Sequence, residues 1–263
     1  MKEDRERIAL VTGASGGIGR ATALALAGAG YDLIIGARRE SLLAETADAI
    51  RRLGRRVLSA RLDVRDKASV NRFVQGALTS MRHVDVLVNN AGLARGVTKI
   101  AEQTDEDEWL EMMDTNVMGL LRVTRLVLPT MIANGRGHIV NIGSTAAHEA
   151  YAGGSVYCGS KFAVRAITLS LRQELLGQPI RVTEIDPGMT ETDFSRVRFR
   201  GDEQQAGAVY TGAVPLAPED VADVIVFAVT RKSHVNLDNI ILRPVDQAVH
   251  TMVHRRARAQ RDG

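Results

Sequence analysis

The stretch Thr12-Gly13-Ala14-Ser15-Gly16-Gly17-Ile18-Gly19 follows the apolar run Ile8–Val11 and opens an amphipathic segment that reads as a helix to about Ala27. A strand, a glycine-rich turn and a helix in this order build a phosphate cradle. Glycine lets the backbone turn tightly and approach a pyrophosphate, which then faces the free N–H groups and partial positive charge of the helix N-terminus. Gly13, Gly17 and Gly19 carry the spacing, with Ser15, Gly16 and Ile18 completing the turn. Glycine-rich runs also mark ordinary surface turns. The flanking strand and helix give the nucleotide reading its weight.

The rhythm continues downstream. Short apolar runs at Leu33–Ile35, Val57–Leu62, Val84–Val88, Ile139–Ile142, Ile180–Ile185 and Ile240–Leu242 read as strands. Helical patterns separate them: a stretch ending at Ile50, then Ala68–Ser80, Glu106–Ala133, Ser155–Leu176 and Asp220–Val229, the last preceded by Pro218. Continuously apolar strands between helices imply a parallel sheet covered on both faces. No linker, repeat or low-complexity segment intervenes, so residues 1–263 read as one α/β domain, a doubly wound parallel sheet of Rossmann type. Residues 188–215 break the pattern. They are polar and glycine-dotted, of a length that compact domains give to functional lids or disordered segments.

Composition narrows the class. Of 263 residues 45% are hydrophobic but only 4% aromatic, so aliphatic and alanine packing must fill the core. The net charge of +3 is local, gathered in Arg51, Arg52, Arg55 and Arg56 and in the tail at about 250–263. No nucleic-acid motif accompanies that tail, which reads as a solvated terminus. The single cysteine, Cys158, excludes an intrachain disulfide, fits a reducing compartment and reads as a packing residue. No apolar stretch of about 18 residues suggests a membrane span. The charged Met1–Arg7 lacks a signal-peptide core. A cytoplasmic protein without a metal site is expected.

Two further features point to chemistry. An NAD site usually carries an acid about 20 residues past the glycine turn, on the ribose 2′-hydroxyl. Here the second strand ends Gly36-Ala37-Arg38-Arg39. A guanidinium suits a 2′-phosphate, so Arg38 and Arg39 point to NADP(H). The alternative is two solvated arginines, an unfavourable arrangement at a helix start without an anion. Tyr157 and Lys161, four apart on a predicted helix, share one face. A nearby ammonium favours the phenolate of a tyrosine whose free pKa is about 10. Ser144 follows the strand Ile139–Ile142, where its hydroxyl is placed to hold a substrate oxygen.

Together with Asp63-Val64, Asn89-Asn90-Ala91-Gly92, Asn116, Tyr157-Cys158-Gly159-Ser160-Lys161 and Pro187-Gly188, these residues resemble the short-chain dehydrogenase/reductase family across essentially the whole chain. The resemblance implies a catalytic set of Asn116, Ser144, Tyr157 and Lys161. It implies that Asp63 and Val64 flank the adenine, and that Asn90, Ala91, Gly92 and Lys161 lie along the cofactor. Pro187, Gly188 and Thr192 would line its nicotinamide and diphosphate. It also implies Tyr157 as general acid/base and Asn116 holding a water that relays protons to Lys161. A homotetramer paired through the helices after Asn116 and Ser144 is expected.

Within the family, Tyr151-Ala152-Gly153-Gly154 and Phe194-Ser195-Arg196-Val197-Arg198-Phe199 resemble the NADP-dependent 3-hydroxy acid dehydrogenases, which act on serine and allo-threonine. The chain departs from that pattern at Ala147-His148-Glu149 and Met189-Thr190-Glu191-Thr192. A carboxylate substrate needs a cation. Arg196, Arg198 and Arg200 would all point one way if their segment were extended, and Arg198 is the candidate. They equally read as surface charges or subunit contacts. His148 reads as a solvated loop residue. Two alternatives stay open: a ketone, aldehyde or 3-oxoacyl reductase, and a non-catalytic NADP(H)-sensing module.

Overall fold

The computed structural model describes residues 6–256. Seven parallel strands form one sheet in the order β3-β2-β1-β4-β5-β6-β7. They are β1 (Ile8–Thr12), β2 (Asp32–Ala37), β3 (Val57–Arg61), β4 (Val86–Asn89), β5 (Gly137–Ile142), β6 (Ile180–Pro187) and β7 (Asn239–Leu242). The doubly wound parallel sheet follows the sequence pattern. Both faces of each central strand are buried: Ala9 and Val11 face one layer, Ile8 and Leu10 the other. Ile8, Leu10 and Val11 each contribute about 1.5–3 kcal/mol by leaving water.

Helices α1 (Gly17–Gly28), α2 (Glu40–Arg52) and α9 (Pro218–Val229) cover the first face, with Leu26, Leu43, Ile50, Val221 and Ile225 in the core. Helices α3 (Lys67–Met81), α5 (Gly119–Ala133) and α6 (Ser155–Glu174) cover the second, through Phe73, Val74, Val123, Val127 and Leu171. The basic cluster after α2 is partly neutralised, since Arg55 and Arg56 both pair with the buried Asp32.

The stretch expected as one helix from Glu106 to Ala133 is not regular. Helix α4 (Asp107–Met113) passes into a π turn at Asp114–Met118 before α5 begins. By length and composition Asp107–Ala133 also suits a membrane span, although charged residues interrupt its apolar run. Its apolar residues Val123, Val127 and Met131 lie instead in the core with Leu87 and Ile139.

Residues 188–215 hold two short helices, α7 (Asp193–Arg198) and α8 (Glu203–Ala208). Thr192 caps the first by accepting from Phe194 N at 3.1 Å, and Asp202 caps the second by accepting from Gln205 N at 2.9 Å. A hairpin of β8 (Gln247–Val249) and β9 (Met252–Val253) follows β7. Arg256 ties it back, donating to Asp246 at 2.9 Å and, through its backbone, to Gly212 O at 2.7 Å. Met1–Arg5 and residues 257–263, with most of the charged N-terminus and half of the basic tail, lie outside the described residues.

Candidate active site

Strand order reverses between β1 and β4, and a cleft of about 530 Å³ opens there at the carboxyl ends of the strands. Thr12 joins the two halves. Its hydroxyl accepts from Asn90 N and Ala91 N, each at 3.0 Å, while Asn90 Nδ2 donates to Thr12 O at 2.9 Å. Gly13 lies at φ +72°, and a Cβ there would meet Asn90 Nδ2 at 2.8 Å. No side chain caps α1. Its first N–H groups, which have no intrahelical partner, are free for an anion. This cradle fits a dinucleotide diphosphate.

Of the residues expected along the cofactor, all but Gly19 line the cleft. Gly19 packs behind it, where a Cβ would strike Gly13 O and Asn90 Nδ2. At the ribose end the two arginines differ. Arg39 bridges the turn and α7, with Nε on Ser15 Oγ at 3.2 Å and Nη1 on Asp193 Oδ2 at 3.1 Å. Arg38 is nearly uncommitted, its nearest acid being Glu111 at 3.8 Å. Asp63 is clamped by Arg65 at 2.7 and 3.0 Å, and these hydrogen bonds hold its carboxyl below the usual range.

Ser144, Tyr157 and Lys161 stand together in the cleft wall. Burial pushes the Tyr157 phenol up to about 12, and a hydrogen bond with Ser144 and the charge of Arg198 oppose it. Lys161 was expected to be the depressing charge. Its Nζ instead lies 6.0 Å from the tyrosine ring centre and donates to Ile142 O at 2.8 Å. Burial pulls Lys161 down to about 8, against the opposing pull of the acidic side chains Asp186 and then Glu184.

Asn116 does not line the cleft. It sits in the π turn, nearly inaccessible, with Oδ1 accepting from Leu93 N at 2.8 Å. Its Nδ2 donates to Leu93 O at 2.9 Å and Ser160 Oγ at 3.0 Å. A Cβ on Gly92 would meet Asn116 Oδ1 at 3.2 Å and Lys161 Nζ at 3.8 Å, so the glycine lets both approach.

The lid arginines diverge, because α7 is helical where an extended segment would have aligned them. Arg196 pairs with Glu203 at 2.8 Å, and Arg200 reaches Asp105 at 3.2 Å. Arg198 turns inward. It donates to Tyr151 Oη, and its guanidinium carbon lies 5.2 Å from the Tyr157 ring centre and 5.9 Å from that of Phe194. Among the described residues it has no carboxylate partner, and its Nε is buried without an acceptor.

His148 is not solvated. Its Nε2 lies 2.6 Å from Asp186 Oδ2, and Arg165 donates to its Nδ1 at 2.8 Å. Cys158 is buried, as a packing residue should be. The sequence reading missed Tyr151 and His250 as wall residues. Their rings stack at 3.5 Å and 10°. Tyr151 precedes the Gly153-Gly154 turn into α6, a usable signal. His250 is placed only by the β8–β9 pairing and has none. Burial, then Arg198, pulls His250 down to about 4.

The model of the short chain dehydrogenase family matches residues 7–203. An NADP-dependent 3-hydroxy acid dehydrogenase of Salmonella typhi is 42% identical over 250 residues, covering 94% of this chain and 99% of the relative. An uncharacterized oxidoreductase of Mycobacterium tuberculosis is 50% identical over 244 residues, covering 93% of each chain. The closed form of a serine dehydrogenase complexed with NADP+ has a TM-score of 0.88 at 40% identity. It covers 95% of this chain and 100% of that one.

Proposed function

Since the chain belongs to the short-chain dehydrogenase family and is an NADP-dependent oxidoreductase, we propose that its substrate is a small, serine-like 3-hydroxy acid, oxidised reversibly at the 3-position. Arg198 carries this reading. It is a guanidinium beside the reacting tyrosine, without an acidic partner among the described residues and with a buried Nε lacking an acceptor. A substrate carboxylate satisfies both deficits.

Bound NADP(H) would supply the hydride chemistry at the carbinol carbon. The chain's residues do the rest. Ser144 orients the substrate oxygen. Tyr157 protonates that oxygen in reduction and deprotonates it in oxidation. Lys161, held at the cleft wall by its bond to Ile142 O, bonds the nicotinamide ribose. Asn116 fixes the chain at Leu93 beside Lys161. Arg38, the less committed of the two arginines, takes the 2′-phosphate. A neutral ketone, aldehyde or 3-oxoacyl substrate would leave Arg198 unsatisfied. A non-catalytic sensor would have no use for the assembled Ser144, Tyr157 and Lys161. We read the protein as a cytoplasmic homotetramer.

The test is a panel of steady-state rates with NADP and serine, 3-hydroxyisobutyrate, 3-hydroxypropionate and a neutral secondary alcohol. The acids should turn over well and the alcohol poorly. Equal rates on the neutral alcohol would remove the carboxylate from the proposal.

A further inference from the structure

Strand β6 carries Glu184 and Asp186, which are 2% and 0% exposed. They alternate about Ile185 and so share one face of the strand. Asp186 is fully engaged. Its Oδ1 accepts from Ser144 N at 2.9 Å, and its Oδ2 accepts from Asn239 Nδ2 at 2.6 Å. His148 Nε2 also lies 2.6 Å from Oδ2. Because Arg165 donates to His148 Nδ1, that nitrogen is an acceptor, and Nε2 carries the proton given to Asp186. With three N–H donors, Asp186 is a carboxylate.

Glu184 is the opposite case. Its Oε1 is buried and receives no donor from any described residue. The two carboxyls converge on Gly143, the residue before Ser144. A Cβ there would come within 2.7 Å of Glu184 Oε1 and would collide with Asp186 Oδ1. Two buried carboxylates at such range do not both ionise, so one holds a proton. A proton on Glu184 makes its orphan oxygen a donor toward Asp186.

The charges around the pair are Lys161 and Arg165 from α6 and the imidazole of His148 from the loop after β5. Strand β7 offers the neutral Asn239 and β5 the neutral Asn141. Burial and then the charge of Asp186 push Glu184 up to about 8, with Lys161 and Arg165 opposing.

We propose that Glu184 and Asp186 form one positioning unit, a carboxylic acid donating to a carboxylate. Its single negative charge pins the Ser144 backbone and balances the buried Lys161 ammonium. This rests on the roles given above to Ser144 and Lys161. Neither acid touches substrate. They act through the serine that orients the oxygen and the lysine buried beside the tyrosine.

The first readout needs no substrate, so it stands or falls apart from the substrate assignment. Folded Glu184 keeps its proton to about pH 8, whereas the unfolded residue loses it near 4.5. Stability from this group is therefore full below 4.5 and lost as pH rises through 8. Glutamine cannot ionise. Between pH 5 and 8 the Tm of the unmutated protein should fall by at least about 3 °C more than that of Glu184→Gln. Parallel Tm curves would overturn the proton assignment. If Glu184→Gln folds poorly, infrared spectra of the unmutated protein decide. A protonated-carboxyl C=O stretch should persist at pH 7 and vanish above the Glu184 pKa of about 8. Its absence at pH 7 has the same overturning force.

The second readout is kinetic. Glu184→Gln keeps the donor and should hold kcat within about twofold at pH 7. Asp186→Asn removes the charge and should lower kcat about tenfold or more, with NADPH affinity little changed. Equal losses in both variants would reduce the pair to a packing role.

Discussion

Arg198 and Tyr157 face each other across the cleft, guanidinium carbon to ring centre 5.2 Å, with no acid from the described residues between them. An arginine facing the proposed acid/base without a counter-ion is primed for an anion that the reaction itself brings. Truncation to Arg198→Ala should cut kcat/KM on a 3-hydroxy acid by about 10- to 100-fold, the worth of a charged hydrogen bond. Rates on a neutral secondary alcohol should change less than about threefold. A uniform loss on both would mean that Arg198 props the lid rather than holding substrate.

Tyr157→Phe removes the proton and leaves the ring that packs edge-on against Phe194 at 5.8 Å. Turnover should drop by about 10²–10⁴-fold, the usual contribution of general acid/base catalysis. NADPH binding, followed by fluorescence titration, should stay within about twofold. Surviving turnover would move the acid/base role elsewhere.

Arg38 and Arg39 should separate in cofactor selection. Arg38→Ala should weaken NADP by about tenfold and leave NAD unaffected. Arg39 is already engaged by Ser15 and Asp193, so Arg39→Ala should disturb both cofactors alike. A marked NAD preference in the unmutated protein would overturn the reading of this strand end.

Lys161 exchanges stability for function. Burial lowers its folded pKa to about 8 from 10.5, so folding disfavours its charged form. Stability from this group is full above 10.5 and lost as pH falls through 8. Lys161→Met should lose turnover, yet its Tm relative to the unmutated protein should be higher at pH 7 than at pH 10. A Tm difference independent of pH would mean that the lysine is not strained by burial.

Assembly is testable from exposed apolar residues. Leu110, Met113, Met118 and Leu121 on α4, the π turn and α5, with Phe162 and Leu169 on α6, remain accessible in the single chain. Sedimentation should give a tetramer, and Leu121→Glu with Leu169→Glu should dissociate it. A monomeric unmutated protein would exclude the expected pairing.

What was legible in the sequence was local. The glycine turn, the Tyr157/Lys161 spacing and the strand rhythm each sit within a few residues, so periodicity and motif expose them. What escaped depends on distant segments meeting. The pairing of Ile142 with Ile185 places Asp186 beside Ser144, and no pattern within β5 or β6 announces it. The same holds for His250, carried to Tyr151 by a hairpin. Arg198 was found by composition but with the wrong backbone, because the Thr192 cap that winds α7 outweighs the alternation of its arginines. The π turn escaped for a different reason. The apolar period of α5 continues past it, so the pattern reads as one helix.

That π turn marks Asn116 as something the architecture does not require. A π turn is an α-helix with one surplus residue looped into it. Deleting one residue would let α4 and α5 merge into a single regular helix, with Val123, Val127 and Met131 still facing the sheet. The chain would shed an awkward turn and lose the grip of one amide on both backbone groups of Leu93. The surplus residue therefore serves the hold on Leu93 and not the helix itself.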